Sequence, residues 1–386
     1  MKSFLSGFLF ILTAILLIDG CAGKSANYKY FRKVDIDGRY SIIGKYPLSP
    51  EMGNKGEAYR FLYNKKGELI RVDYLMGGKL RDGSFFGNNV AQVLIEHFET
   101  YEKRAYFDVN GLSVRDRYGV YSIRLELNDN NLPTSKLNCG VFGEFTEDIY
   151  GVVQYLWTLD GEGRIKKAIF YDFLGKRLTI EEGGFETAFK YDEDGNMIER
   201  SYFDSKGNLK ENKDGVAVLR QKFDDKGNII EIRQFDAANK LIELGNGVAV
   251  TNQKFDEDGN IVETRYLGKD EKLKENNMGV AIMRCRFDAY GNIVEQKYYD
   301  MSDKLTEGKF YGFATRQWEY DEDGKLLETR FLDVNGNLKN TINEEAAILR
   351  MKYDKDGNLE QILHLDKEGN PVEDSLLSVP LKTTTK

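Results

Sequence analysis

The sequence predicts an all-β protein, an elongated tandem array of β-hairpin repeats. A 32-residue unit recurs along the chain, and residues 215–246 (GVAVLRQKFDDKGNIIEIRQFDAANKLIELGN) show it most clearly. Within the unit, two turn motifs that contain Asp recur twelve residues apart. Alternating apolar and polar residues, rich in Val, Ile, Phe and Tyr, separate these turns, which is typical of strands. Continuous repetition indicates one array rather than several domains.

A glycine marks the start of each unit and gives the period. Successive glycines are separated by 31 residues, then six times by 32 and once by 33. The marker glycines are Gly56, Gly87, Gly119, Gly151, Gly183, Gly215, Gly247, Gly279 and Gly312. The turn motifs keep the same phase as far as Asp366, which argues strongly against a chance match.

Each turn motif has residues suited to a tight hairpin. In residues 223–228 (FDDKGN), Asp224 is placed to accept backbone N–H groups at the start of a type I turn. Gly227 is expected in the left-handed conformation of a bulge, which a Cβ would disfavour. The second turn, at Asp236, leaves a strand of about seven or eight residues between the turns. Residues 240–244 fit a third short strand or a connector, so an open twisted antiparallel sheet and a β-solenoid both agree with the pattern.

One face of the predicted strands carries a regular stripe of charge. Glu231 and Arg233 lie two residues apart on this face, and the pair recurs in other units. The corresponding residues are Glu199, Glu263, Glu295 and Glu328, with Arg265, Lys297 and Arg330 following the last three. We expect neighbouring copies to stack these charges into cross-strand ladders. We interpret the stripe as a solvated structural face rather than a ligand site, because exposed charges keep a sheet soluble and unpaired.

The first 20 residues have the composition of a secretion signal. Lys2 is followed by an apolar run from Phe4 to Ile18, which is short for a membrane span. This pattern predicts that the chain is exported and that residues 1–20 are removed as a signal peptide.

Residues 18–21 (IDGC) resemble the end of a bacterial lipoprotein signal, in which a small residue precedes the cysteine that is lipidated and becomes the mature N-terminus. Gly20 and Cys21 match this pattern, and Asp19 departs from it. The resemblance implies a lipid anchor on Cys21 that attaches the protein to a membrane. Ala22 fits export to the outer membrane, whereas cleavage without lipidation would give a secreted protein.

The remainder of the chain divides by the regularity of its repeats. The predicted segments are a lipidated cysteine and tether (21–27), a half-repeat that caps the array (28–55), degenerate β repeats (56–182), regular repeats of 32–33 residues (183–374) and a C-terminal tail (375–386). Residues 90–106 have a spacing that an amphipathic helix would also show. Their register with the clearest unit favours strands instead.

Composition argues against several classes of function. The net charge is −8 and the pI about 5.2, with acidic and basic residues interspersed, so we expect no nucleic-acid partner. The two histidines, His97 and His364, lie in distant units, which argues against a His-based triad or metal site. Cys139 and Cys285 lie more than four units apart, too far for a disulfide, and we expect them to be small core residues.

Several Asp-x-Asp-Gly strings invite comparison with calcium loops. The string at Asp192 puts Ser201 where an EF-hand has its closing glutamate, so we interpret these residues as turn formers. A repeat array is also expected to offer no unique concave site. We therefore predict no catalytic, cofactor-binding or metal-binding residues, and a protein that is not an enzyme.

The pattern Tyr/Phe-Asp-x-x-Gly-Asn-x-x-Glu, found for example in residues 223–231, resembles the YD-type repeats of bacterial RHS-like surface proteins. It is also similar to 32-residue tandem repeats of exported bacterial proteins, and the resemblance covers residues 56–370. It implies an array of β-hairpins. RHS proteins build a shell around a toxin, but this chain is much shorter and shows no toxin segment, so that function is not carried over.

Three hypotheses for the function follow from these features. The leading one is a non-enzymatic, lipid-anchored protein of the cell envelope, at the outer membrane or cell surface, that presents an extended β surface to a protein or glycan partner. The alternative is a structural spacer or envelope assembly factor. A third is a hydrolase with its site within residues 87–151, where the copies are irregular.

Overall fold

The structure, a computed structural model, describes residues 27–83, 85–180, 184–322, 324–342, 345–355 and 359–372. The predicted signal peptide, the lipidation site at Cys21 and the predicted tail at 375–386 lie outside the described residues. Those residues contain 23 strands and one short helix. No helix among them is long and apolar enough to cross a membrane.

The strands up to residue 171 belong to an N-terminal hairpin and to the irregular copies. They are β1 (Asn27–Ile36), β2 (Ile42–Leu48), β3 (Glu57–Tyr63), β4 (Leu69–Met76), β5 (Lys79–Leu80), β6 (Gln92–His97), β7 (Tyr101–Phe107), β8 (Ser122–Leu127), β9 (Pro133–Cys139), β10 (Gln154–Leu159) and β11 (Ile165–Tyr171). The helix α1 (Pro50–Gly53) connects β2 to β3. The predicted strands within residues 90–106 are confirmed as β6 and β7.

The regular copies each supply two strands. They are β12 (Glu186–Tyr191), β13 (Met197–Phe203), β14 (Val218–Phe223), β15 (Ile229–Phe235), β16 (Val250–Phe255), β17 (Ile261–Leu267), β18 (Ile282–Phe287), β19 (Ile293–Tyr299), β20 (Thr315–Tyr320), β21 (Leu326–Leu332), β22 (Ile348–Tyr353) and β23 (Leu359–Leu365). Strands six or seven residues long match the spacing between turns that the sequence predicts.

The strands form one open antiparallel sheet. Its order is β2, β1, β3, β4 and β6, after which each strand pairs with the next along the chain to β23. The short β5 pairs with the end of β4. The predicted all-β hairpin array is therefore confirmed. Because every pairing between these strands is antiparallel, the open sheet is observed and the β-solenoid is not.

The first turn of each unit has the predicted mechanism. Asp224 Oδ1 accepts the N–H groups of Lys226 and Asn228, at 3.0 and 2.8 Å. Gly227 has φ +74°, and the register between β14 and β15 shifts at Phe223, as a bulge requires. The Asp224 carboxylate therefore stabilises the turn through these two hydrogen bonds.

A third turn per unit is a feature that the sequence did not reveal. Residues 240–244 are a connector, joined to β15 by one bridge between Phe235 and Leu241. The chain then turns again at the marker glycine, as at Gly215, which has φ +81°. Asn212 Oδ1 accepts the N–H groups of Asp214 and Val216, both at 2.9 Å. Gly119, Gly151, Gly215 and Gly279 each close such a turn, and the Asn or Asp three residues earlier in these four copies was the available signal.

The N-terminal hairpin, β1 and β2, lies across the first turns of distant units. Tyr46 Oη donates to Asn228 Oδ1 at 2.6 Å, and Lys45 Nζ donates to the Gly227 carbonyl at 3.0 Å. Farther along, Arg32 Nη1 donates to the Tyr290 carbonyl at 2.7 Å. These partners are 182 to 258 residues apart in the chain. The sheet therefore curves so that its turns meet the hairpin, and repeats do not contact only their neighbours.

The main hydrophobic core joins this hairpin to the irregular copies. Val34 and Ile42 of the hairpin are buried in one cluster with Phe61, Leu125 and Phe170. The regular copies contribute two separate, smaller clusters, one around Phe313 and Phe331 and one around Ile348 and Leu365. Packing against the hairpin gives a physical reason for the irregularity of residues 56–182.

Candidate binding cavity

The outer face of the sheet carries the charge ladders that the sequence predicts. Glu263, whose side chain is 10% exposed, pairs with Lys254, Arg265 and Arg284 at 2.8–3.0 Å. Hydrogen bonds from Arg265, and also from Arg284 and Lys254, lower the pKa of Glu263 to about 2. Glu328 pairs with two cations, Arg330 at 2.6 Å and Arg350 at 2.8 Å. The cross-strand ladders are therefore confirmed, and their charges already neutralise one another.

The Asp-Gly strings are turns, as predicted. Asp256 Oδ1 accepts two backbone N–H groups at 2.8 and 3.0 Å, and its Oδ2 accepts from the Asn260 side chain at 2.9 Å. Within the ranges that the structure describes, no three His, Cys, Asp or Glu side chains gather in a way that could hold a metal ion. Cys139 is buried, Cys285 is half-buried, and both are free thiols.

The inner face contains a cavity of about 710 Å³ beneath the tip of the N-terminal hairpin. Its floor is the curved face of β9 to β13 with Phe223 of β14 and Ile229 of β15, and hairpin residues between Asp35 and Lys45 form the roof. The expectation that a repeat array has no concave site is wrong, because the hairpin lies over the sheet instead of simply extending it. Ten aromatic residues line the cavity: Tyr40, Tyr118, Tyr150, Tyr155, Trp157, Phe170, Phe189, Tyr191, Tyr202 and Phe223.

Strand register places the floor residues side by side. Lys136 of β9 lies opposite Tyr155 of β10, which lies opposite Phe170 of β11. In the adjacent row, Trp157 lies opposite Ala168. Because alternate residues of a strand face the same side, these side chains all point to the inner face.

Tyr40 at the hairpin tip closes the cavity from above. It has φ +62°, and its ring lies 4.8 Å from that of Trp157. Arg104 Nη2 donates to the Tyr40 carbonyl at 2.8 Å, which fixes the tip against the sheet. Burial raises the pKa of Tyr40 to about 12, so its hydroxyl is neutral at physiological pH.

Lys136 is a buried cation in the cavity wall. The residue is 5% exposed, and its Nζ lies 3.7 Å from the centre of the Tyr155 ring and 5.3 Å from that of Tyr118. Burial lowers the pKa of Lys136, and the charge of Asp148 opposes that effect. Within the described residues, the close contacts of this ammonium are with aromatic rings rather than with a carboxylate.

Asp148 is occupied by other partners. Its Oδ1 accepts the N–H groups of Tyr150 and Val152 at 2.9 and 3.1 Å. Its Oδ2 accepts from Tyr155 Oη at 2.5 Å and from Asn138 Nδ2 at 3.1 Å. This carboxylate therefore holds a third turn and orients the tyrosine beneath the lysine.

Sequence reasoning missed these residues, although the repeat contained a signal. Position 136 recurs every 32 or 33 residues on the inner face of each unit's second strand. The occupants of this position from β7 to β21 are Arg104, Lys136, Ala168, Arg200, Ile232, Thr264, Gln296 and Thr329. Cations thus occur at this inward position in three units beneath or beside the hairpin, and uncharged residues occupy it in the later regular copies.

The fold and cavity define a class of protein: an open sheet of hairpin repeats curved around its own N-terminal hairpin. No protein-family model and no curated protein sequence matches the chain.

Two similar solved structures are the Photorhabdus luminescens Tc holotoxin pore and a porin-like protein from Bacteroides uniformis, each 11% identical. The aligned regions cover 82% of this chain and 18% of the holotoxin chain, with a TM-score of 0.24. For the porin-like protein they cover 70% and 85%, with a TM-score of 0.23. At TM-scores this low, neither likeness bears on the activity of this chain.

Proposed function

We propose that this protein is a non-enzymatic, lipid-anchored binding protein of the cell envelope that takes its ligand in the hairpin cavity. The observation that carries the proposal is the cavity itself, about 710 Å³ in volume and lined mainly by aromatic and aliphatic side chains. Binding sites are concave and largely apolar, with a few placed polar groups. The outer face is a weaker candidate for the binding surface because its charges are paired with one another.

The carboxylates near the cavity favour binding over hydrolysis. Glycoside hydrolysis needs two available carboxyl groups that flank the bond. Asp35 pairs with Lys45 at 2.9 Å, and Asp37 Oδ1 accepts two backbone N–H groups of the hairpin tip. Asp148 holds a third turn. These three carboxylates have structural partners, and Asp194 is the one other carboxylate that lines the described cavity. Because a single carboxyl group is not the flanking pair that hydrolysis needs, we place the hydrolase hypothesis behind binding.

A neutral fluorescent ligand tests whether the cavity binds. N-phenylnaphthylamine is apolar and aromatic, and the chain has only two tryptophans, of which Trp157 lines the cavity. In a Trp318→Phe background we expect saturable energy transfer from Trp157 to the bound probe. Ala168→Ile, which copies Ile232 of another unit, should block binding by filling the floor. Saturable transfer that Ala168→Ile leaves unchanged, or no transfer at all, would contradict the proposed site.

The lipid anchor is tested separately. The motive is the resemblance of residues 18–21 to a lipoprotein signal. We expect the mature protein to begin at Cys21, with a mass that includes acyl chains, and Cys21→Ser to abolish incorporation of a labelled fatty acid. A mature N-terminus without lipid would exclude the anchor and leave the cavity proposal unaffected.

A second candidate function, an envelope assembly factor, is favoured by apolar residues at the tips of the second turns. Phe173 and Leu174 are 66% and 88% exposed, and Phe142, one unit earlier, is 81% exposed. Some regular copies carry polar residues at the same tip, such as Ser205 and Lys206, whereas others carry Ala237, Met301 or Val334 there. Contiguous exposed apolar side chains mark contact surfaces. The contrast between copies suggests a protein partner along this edge.

The repeat supplies a matched test of this second function. Phe173→Ser with Leu174→Lys copies the polar tip, and Ala237→Ser with Ala238→Lys makes the same change at another tip. If the edge binds a partner, the first variant should leave a higher-mass envelope complex and migrate alone, while the second should remain associated. Equal behaviour of both variants would argue against an assembly role.

A further inference from the structure

We propose that the hairpin cavity is specific for ligands that carry an oxyanion, such as a carboxylate or phosphate, and that Lys136 binds this group. The inference rests on the proposed binding function and adds the chemical class of the ligand. The expected ligand has an aromatic or apolar body and one anionic group, and the anionic group lies at the β9 side of the cavity.

Lys136 is a cation at a position that five of the eight compared units fill with an uncharged residue. Lys136 lies on the inner face of β9, and in the later regular copies the same position holds residues such as Ile232, Thr264 and Gln296. Folding alone therefore does not require a cation there. A buried ammonium without a carboxylate partner is costly, so a position that repeatedly tolerates uncharged residues gains nothing structural from it.

The groups around the Lys136 ammonium are aromatic rings and a carboxylate that has other partners. Lys136 Nζ lies over the faces of Tyr155 and Tyr118, which leaves its N–H donors without a carboxylate among the described residues. The nearby Asp148 carboxylate is saturated by four hydrogen bonds. A ligand oxyanion would supply the charge-assisted hydrogen bonds that the protein does not.

A small residue beside Lys136 leaves space on the cavity floor. Ala168, one unit away at the equivalent position, is the smallest occupant of this position in the array. Arg200 lies two units away and lines the same cavity, and its Nε is buried without a hydrogen-bond partner in the described structure. Ala168 thus leaves room between two cations, and a ligand body lying across it would contact the ring of Trp157.

A pair of dyes with the same ring system tests the inference. Anilinonaphthalene sulfonate carries an oxyanion, and N-phenylnaphthylamine lacks it. In the Trp318→Phe background, Lys136→Met should weaken the sulfonate at least about tenfold, the loss expected for a hydrogen bond to a charged group. The neutral dye should keep its affinity because Met preserves the apolar volume. Lys136→Arg should restore sulfonate binding.

A control variant and the neutral dye separate the possible results. Lys167→Met removes an outward lysine, paired with Glu186 at 2.6 Å, and should leave both dyes unaffected. If the neutral dye binds and Lys136→Met does not selectively weaken the sulfonate, the anion specificity is wrong and the binding cavity stands. If neither dye binds to the wild type, both the cavity function and this inference fail.

Discussion

At the scale of single residues, the turns depend on backbone conformations that few side chains adopt. Gly207 in the second turn of its unit has φ +82°, and a Cβ built there would meet no atom within 4 Å. One unit later the same position holds Asn239, at φ +60°. The constraint at Gly207 is therefore conformational rather than steric, because Asn tolerates the left-handed region better than Ala does.

This difference predicts a graded response at Gly207. Gly207→Ala should lower the free energy of unfolding by about 1 kcal/mol, and Gly207→Asn by clearly less. Chemical denaturation of both variants measures the values. A larger loss for Asn than for Ala would show that space, not backbone conformation, limits the position.

A second residue-scale prediction concerns Lys136. If its ammonium serves a ligand, Lys136→Met should stabilise the ligand-free protein by about 1 kcal/mol at neutral pH, because relief from a buried charge outweighs the lost ring contacts. Thermal denaturation with and without a bound oxyanion checks this. A loss of stability in the ligand-free state would mean that the lysine is a structural residue.

The pH dependence of this effect has a definite sign. Burial lowers the pKa of Lys136 in the folded protein below its usual 10.5, so between the two values the unfolded chain holds the extra proton. Stability therefore rises with pH in that window. The advantage of Lys136→Met should be fully present below the lowered pKa of the folded state and fade as pH rises from there towards 10.5.

At the scale of elements, the charge ladders join successive hairpins through their outer faces. Glu199, Glu263 and Glu328 are each shared by cations of their own hairpin and of the next, as Glu263 of β17 is shared by Lys254 of β16 and Arg284 of β18. A single exposed ion pair contributes little. A glutamate that is largely covered and bound by several cations contributes more, because losing it leaves several partners unpaired.

Glu263→Gln should therefore lower the free energy of unfolding by about 1–3 kcal/mol at pH 7. The pKa of Glu263 is depressed from 4.5 to about 2, so its stabilising effect is present above 4.5 and is lost as pH falls towards 2. Denaturation curves of the variant and the wild type should converge near pH 2. Glu271→Gln is the control. It should have a smaller effect because the Glu271 side chain, which pairs with Arg233, is 55% exposed. A difference that persists at pH 2 would show that charge is not the cause.

Elements of this size could be predicted from sequence because their causes are local. The Asp224 and Gly227 turn is specified within six residues, and alternation specifies the strands on either side. The third turn was missed although the same Asx-x-x-Gly spacing marks it at Asn212 and Gly215. The cavity was missed for a different reason, since hairpin contacts such as that of Tyr46 with Asn228 join residues 182 positions apart. Nothing in a single unit encodes such a contact.

At the scale of the whole molecule, the hairpin changes what the array can do. A straight array offers every unit the same surroundings, and its inner face would lie open to solvent. With the hairpin laid across the first turns, units at the β9 to β13 end gain a roof and the later units gain polar contacts to Lys45 and Arg32. Near-identical units thus acquire different surroundings, and one of those surroundings is the cavity.

The distance between the hairpin tip and a distant turn tests this curvature most directly. Arg39 and Glu193 are exposed residues beside Gly38 and Tyr191, and a Cβ on Gly38 would lie 2.7 Å from the Tyr191 ring. Spin labels at Arg39→Cys and Glu193→Cys, with Cys21, Cys139 and Cys285 replaced by serine, report the separation by pulsed electron resonance. We expect a narrow distribution of distances between the two labels, centred well below half of the separation that a flat sheet would give. Nine strand steps of about 4.8 Å would separate the two sites by roughly 43 Å in such a sheet. A distribution centred there would contradict the roofed cavity.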